Sequence, residues 1–149
     1  MVKREPSLRE RALGMLARRE HTRAEMRRKL SPHSESPEQA EQLLDALAAR
    51  GWLSETRFAE SRANTLSRRF GSHKIEHDLN SRGVSAEVVE QTVKRTRMQE
   101  LENCRAAWQR RFGVLPQSAA ERGRQMRFLA GRGFSAEAVR LVLKAADTD

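Results

Sequence analysis

Three segments of the chain repeat one another: SPEQAEQLL from Ser36, SAEVVEQTV from Ser85 and SAEAVRLVL from Ser135, with the serines 49 and 50 residues apart. A period of this length restricts the fold severely. Each copy has to be a small supersecondary unit that completes its core against its neighbours, so the chain grows by stacking units. Every copy opens with Ser as a helix N-cap and places Glu two positions later, where a carboxylate meets the free amides and the positive end of the helix dipole. Apolar residues follow at helical spacing: Ala40, Leu43 and Leu44; Val89 and Val93; Val139, Val142 and Leu143.

The likeness extends upstream. Leu30, Leu79 and Leu129 each stand six residues before their serine, so the repeat spans two helices and a turn. In the second and third copies the turn reads SRGVS and GRGFS, and Gly83 and Gly133 suit the left-handed conformation that ends a helix. The first copy has SPHSES, where Ser31-Pro32 supplies the stop and Ser36-Pro37 restarts the chain with Pro at the first helical position. A further helical pattern precedes each pair, over Leu8 to Arg19, Glu55 to Phe70 and roughly Gln99 to Phe112. Ser7 with Glu10, Thr22 with Glu25 and Ser118 with Glu121 have capping-box spacing, and Gly51, Gly71 and Gly113 mark breaks. No stretch alternates with the two-residue period of a strand. The expected fold is all-α: three tandem three-helix bundles, about nine helices, over residues 1–50, 51–98 and 99–149. Apolar residues make up only 38% of the chain, which fits several thin cores in an elongated, curved array better than one thick core.

Charge follows the same period. Basic minus acidic residues give +6 for 1–30, −4 for 31–56, +4 for 57–75, −2 for 76–104, +6 for 105–132 and −1 for 133–149, which together make the net +9. The candidate partner-binding residues are therefore Arg18, Arg19, Arg23, Arg27, Arg28 and Lys29; Arg57, Arg62, Arg68, Arg69 and Lys74; and Arg105, Arg110, Arg111, Arg124 and Arg127. Stacked units would set them along one side, facing DNA phosphate or an acidic protein surface. Tyr is absent, and Trp52, Phe58, Phe70, Trp108, Phe112, Phe128 and Phe134 read as core residues. The interleaving of basic and exposed aromatic residues that marks a single-strand binder is not evident in the sequence.

One catalytic motif needs weighing. His73-Lys74-Ile75-Glu76-His77 spells H-x-x-E-H, the pattern of a zinc peptidase helix, in which two histidines four apart hold the metal beside a glutamate base. The repeat, however, places Ile75 and Leu79 on the core stripe at the positions of Met26 and Leu30, which turns the histidines outward. His21 and His33 lie one repeat away, so no third ligand is in view. Gly-x-Ser-x-Gly and phosphate-loop patterns are absent, and Cys104, the single cysteine, reads as a buried thiol in a reducing compartment. Neither an enzyme nor a cofactor or metal is expected. With no apolar run of membrane length and no signal-like N-terminus, the expected location is the cytoplasm, away from membranes.

The stretch RGWLSETRFAESRANTLSRRFGSHKIEHDLNSRGVS, Arg50 to Ser85, resembles the most distinctive part of the bacterial RecX family, regulators of the RecA recombinase. Gly51-Trp52-Leu53, Arg57-Phe58-Ala59, Arg69 to Gly71, Lys74-Ile75, Leu79 and Arg82-Gly83-Val84 carry the likeness, and both flanks agree with it. The chain departs from the family at Ser54-Glu55, where an acidic pair is common, and at Ser72, where proline is frequent. The resemblance implies a monomer of three three-helix repeats that lies in the groove of the RecA–DNA filament and restrains ATP hydrolysis, strand exchange and filament growth. It thereby implies a part in recombinational repair and the SOS response. It supplies no catalytic residues. Two other readings fit the charge: an autonomous DNA-binding protein that engages single- or double-stranded DNA through phosphates, and a helical scaffold for another acidic protein.

Overall fold

A computed structural model describes residues 4–144, and within them every regular element is helical. The elements are α1 (Leu8–Arg18), α2 (Arg23–Leu30), α3 (Pro37–Ala49), α4 (Glu55–Leu66), α5 (Ser72–Ser81), α6 (Ala86–Met98), α7 (Glu100–Arg111), α8 (Ala119–Gly131) and α9 (Ala136–Lys144). A single 3-10 turn, Ser31–His33, follows α2 where Pro32 denies the α-helix its next amide.

Three cores follow one another along the chain. The first gathers Ala12, Met26, Leu30, Leu44, Leu47 and Leu53. The second gathers Phe58, Ala59, Ala63, Ile75, Leu79, Val84, Val89 and Val93, and the third is built around Cys104, Trp108, Leu129, Phe134, Val139 and Leu143. Equivalent positions of the repeat do equivalent work: Leu30, Leu79 and Leu129 are all buried, as are Ala40, Val89 and Val139. One position breaks the pattern. Gln125 stands where the other units have Met26 and Ile75, and it is buried because Trp108 Nε1 donates to its Oε1 at 2.8 Å while its Nε2 donates to the Val114 carbonyl at 3.1 Å. A buried amide with both ends satisfied costs little in this setting.

The accessible surface, 9918 Å², exceeds the roughly 7,700 Å² expected of a sphere-like protein of this mass. The array is therefore open and elongated, as three thin cores require.

Most caps form where the sequence puts them. Ser7, Thr22, Ser36, Ser54, Ser118 and Ser135 each accept a hydrogen bond from an amide in the first turn of the following helix. Two expectations need correction. Ser85 makes no side-chain cap bond; instead its own N–H donates to Glu55 Oε2 at 3.1 Å, which ties α6 to the start of α4. The capping boxes are only half formed, because Glu10 and Glu25 turn to Arg4 and Arg19, and Glu121 accepts from the Gln117 N–H. In a chain this rich in arginine, a guanidinium outcompetes a neutral amide for the carboxylate.

Gly83 and Gly133 take φ of 77° and 91° after α5 and α8, the left-handed stop expected of them. Gly71 differs from a simple break. Its backbone is extended, and glycine is needed there because a Cβ would stand 2.5 Å from the Gly133 carbonyl oxygen and from the backbone of Phe134. The second and third units meet backbone to backbone at this point.

Candidate partner-binding surface

The sixteen candidate cations divide by whether an internal carboxylate holds them. On α2, Arg23 bonds Glu41 at 2.7 Å and Asp45 at 2.6 Å, Arg27 also bonds Glu41, and both thereby clamp α2 to α3. Those bonds, from Arg27 first and then Arg23, pull the Glu41 carboxyl down to about 2. Arg19 and Lys29 share Glu25, whose carboxyl falls to about 2 chiefly through the Arg19 bond. Arg57 reaches Glu20 at 2.9 Å and the Gly51 carbonyl at 2.6 Å. Arg62 grips Asp78 with both arms of its fork, at 2.9 and 3.0 Å, and so holds that carboxyl below its usual range. These six residues are internal fasteners of the first two units.

The other ten meet no carboxylate among the described residues. Arg18 and Arg28 stand exposed on the first unit, and Arg68, Arg69 and Lys74 stand at the end of the second. On the third unit Arg105, Arg110, Arg111, Arg124 and Arg127 are exposed, in a stretch whose one acidic residue is Glu121. Charge excess in the sequence therefore overstates the free positive charge of the first unit, whereas the candidate arginines of the third stand exposed.

Several of these cations gather where the second and third units meet. Arg69, Arg110 and Arg111 line a cleft of about 190 Å³ together with Ala107, Phe128 and Arg132. Arg132 lies 5.3 Å from the Phe70 ring centroid and 5.1 Å from that of Phe128. Arg111 lies 5.4 Å from Phe128, while Arg69 and Lys74 both lie 5.6 Å from Phe70. Phe112 and Phe128 meet edge to face at 5.4 Å. Arg110 donates to the Arg68 carbonyl across the joint.

Arg132 is not among the sequence candidates, because its neighbours, GRGFS, read as a helix stop. The signal that could have found it is the preceding charge run, which ends on that residue. The reading of all seven aromatics as core is corrected here. Phe58, Trp108 and Phe134 are buried, but Trp52 is 42% exposed with Arg9 and Arg50 stacked on its ring at 5.5 and 5.2 Å. Phe70, Phe112 and Phe128 are half-buried beneath cations. Basic and aromatic residues do interleave, partly between sequence neighbours such as Arg69 and Phe70 or Arg111 and Phe112, and partly through tertiary contacts such as Arg9 on Trp52 and Arg132 on Phe70.

The joint itself is stiffened by a buried acid. Glu100, at the start of α7 and only 4% exposed, accepts from the Ser72 N–H at 2.7 Å and from Ser72 Oγ at 2.9 Å. Gly71 N–H donates to the Arg132 carbonyl at 2.9 Å, and His73 N–H donates to the Gly133 carbonyl at 3.1 Å. The first amides of α5, which no intrahelical acceptor serves, are thus satisfied by the third unit.

The H-x-x-E-H stretch lies on α5 as the repeat suggested. Ile75 and Leu79 are buried, His73 and His77 are exposed, and Glu76 faces Arg97 at 3.8 Å. Among the described residues no group of three or more His, Cys, Asp or Glu side chains is arranged to hold a metal ion. Cys104 is buried in the third core, and burial pushes its thiol up to about 12. No helix of the described residues is long and apolar enough to cross a membrane.

Comparison with known proteins matches the chain in three successive segments. Residues 9–52 match the first three-helix domain of RecX, residues 54–93 the second and residues 99–143 the third. A protein of Leptothrix cholodnii called regulatory protein RecX is 48% identical over 141 residues, covering 95% of this chain and 90% of its own length. One of the same description from Ralstonia nicotianae is 43% identical over 141 residues, covering 95% and 89%. The crystal structure of RecX from Lactobacillus salivarius superposes with a TM-score of 0.81 over 95% of this chain and 96% of that one; at 18% identity, this likeness concerns the fold. With all three domains present in order and close relatives along almost the whole length, the chain belongs to the RecX family of regulatory proteins.

Proposed function

We propose that this protein binds the RecA filament on DNA and restrains its ATP hydrolysis, strand exchange and extension, and through them recombinational repair and the SOS response. The observation that carries the reading is the match to all three RecX domains in succession. A stacked body of three units, taken as 1–50, 51–98 and 99–149, offers successive subunits of a helical polymer several weak contacts on one chain. Their combined strength comes from effective concentration and needs no single dominant anchor. The exposed cations that no internal carboxylate holds, from Arg18 and Arg28 to Arg124 and Arg127, are the proposed contact points. The test is the DNA-dependent ATPase of the cognate RecA with added protein. A fall in rate at stoichiometric excess is expected, and an unchanged rate overturns the reading.

A second reading, autonomous binding to DNA, is favoured by the arginine cluster between the second and third units. Gel shifts on bare DNA and on RecA–DNA filaments, run side by side across salt, separate the two. An autonomous binder holds bare DNA as tightly as the filament and loses both steeply with salt.

A further inference from the structure

We propose that the cleft formed by Arg69, Arg110, Arg111 and Arg132, with Lys74 beside it, is a docking site for the phosphodiester backbone of a nucleic-acid strand that straddles the joint between the second and third units. The inference deepens the functional reading above and rests on it for the filament setting, but the site is argued from its own chemistry.

Between α2 and α3 and beside α5, arginines that gather are matched by acids: Arg23 and Arg27 by Glu41, Arg62 and Arg82 by Asp78. In this cleft four guanidinium groups converge and none has a carboxylate partner among the described residues. Like charges so close repel one another unless an anion lies between them, and the ring faces of Phe70 and Phe128 offset only part of that repulsion. One fork is tied down, and the backbone that carries another is fixed. Arg110 is tied to the Arg68 carbonyl, and Arg132 follows α8 with its own carbonyl fixed by the Gly71 N–H. Arg69 and Lys74 come from the second unit and the other three from the third, so a ligand has to touch both.

The kind of anion follows from what is left to offer. Cations already stack on the ring faces of Phe70 and Phe128, so bases have no platform there, and the guanidinium edges point to oxyanions. A single carboxylate brings one charge to four or five cations. A nucleic-acid backbone brings a succession of phosphates whose oxygens fit the arginine fork, without regard to base sequence.

The test is anisotropy of a labelled oligothymidylate titrated with the full chain across a salt series. The double variant Arg111→Gln/Arg132→Gln should weaken binding about tenfold or more and lower the log–log salt slope by roughly 1.4, close to 0.7 for each lost phosphate contact on a single strand. Arg69→Gln, which alters an exposed residue and leaves the core untouched, should lower the slope by about 0.7. Arg111→Lys/Arg132→Lys should keep the slope and lose part of the affinity, since charge remains while the fork does not. Arg140→Gln, an exposed charge on α9, is the control and should bind as the wild type does. Wild-type binding by both Arg69→Gln and the double Gln variant overturns the proposal. So does displacement of the oligonucleotide by polyglutamate as effectively as by unlabelled DNA, because the site would then select carboxylates. RecA ATPase measured on the same proteins keeps the two ideas apart. Loss of DNA binding in the variants while wild type leaves the ATPase unchanged sustains the cleft and overturns the filament reading, and wild-type DNA binding by the variants with ATPase inhibition intact does the reverse.

Discussion

Between the first and second units Gly83 packs close to Ala24, and the polar tie is an ion pair in solvent, Arg57 to Glu20, with side chains 47% and 33% exposed. Between the second and third it is a buried carboxylate, two glycines and a pair of backbone hydrogen bonds. An exposed pair contributes little and tolerates many geometries, because water competes for both partners. A buried acid with all its bonds made permits one arrangement and penalises the rest. The first joint is thus fixed less firmly by hydrogen bonds and ion pairs than the second. The inferred phosphate cleft sits on the second joint, where its arginines hold a fixed spacing.

Four measurements break or sharpen that contrast. The largest effect belongs to Gly71→Ala, whose methyl group would meet the backbone of Gly133 and Phe134 at 2.5 Å. Overpacking of this kind costs about 2–3 kcal/mol, readable as a lower denaturant midpoint. An unchanged midpoint would show that the second joint yields. Glu100→Ala comes next, at about 2 kcal/mol, since Ser72 N–H and Oγ lose a charged acceptor inside the protein.

Acid gives a smaller effect, centred on the first unit. The carboxyls of Glu25 and Glu41 are lowered from 4.5 to about 2 by their arginines. Their folded-state values lie below the unfolded ones, so the stability they contribute is whole above pH 4.5 and drains away as the pH falls toward 2. Amide hydrogen exchange followed through that window should show α2 and α3 loosening, and protection that stays constant there would refute the assignment. The smallest effect is that of Arg57→Ala, about 0.5 kcal/mol. A double-mutant cycle with Glu20→Ala that returned several times that coupling would put the first joint on a par with the second.

Much of the fold was legible because burial repeats with the sequence. Leu30, Leu79 and Leu129 were aligned by spacing alone, and all three proved to be core. The joints were not legible, because they depend on residues far apart in sequence. Ser72 and Glu100 are separated by 28 positions, and nothing local to Gly71 says that another backbone passes beside it. One hint was present: Ser72 stands where the family often has proline, which has no N–H to give Glu100. The candidate surface was half legible. Counting charges identified the third unit's exposed arginines, but it could not reveal that Glu41, a helix away, already occupies Arg23 and Arg27. Nor could it find Trp52 between two guanidiniums, because stacking is a property of the folded surface.

The buried sulfur of Cys104 has a practical consequence. Buried in the third core, with burial also pushing its pKa up, this sulfhydryl should react slowly with maleimides and mild oxidants at neutral pH. New cysteines set on the outer faces of any two units would therefore take fluorophores selectively, and the angle across each joint becomes a distance distribution that can be read one molecule at a time.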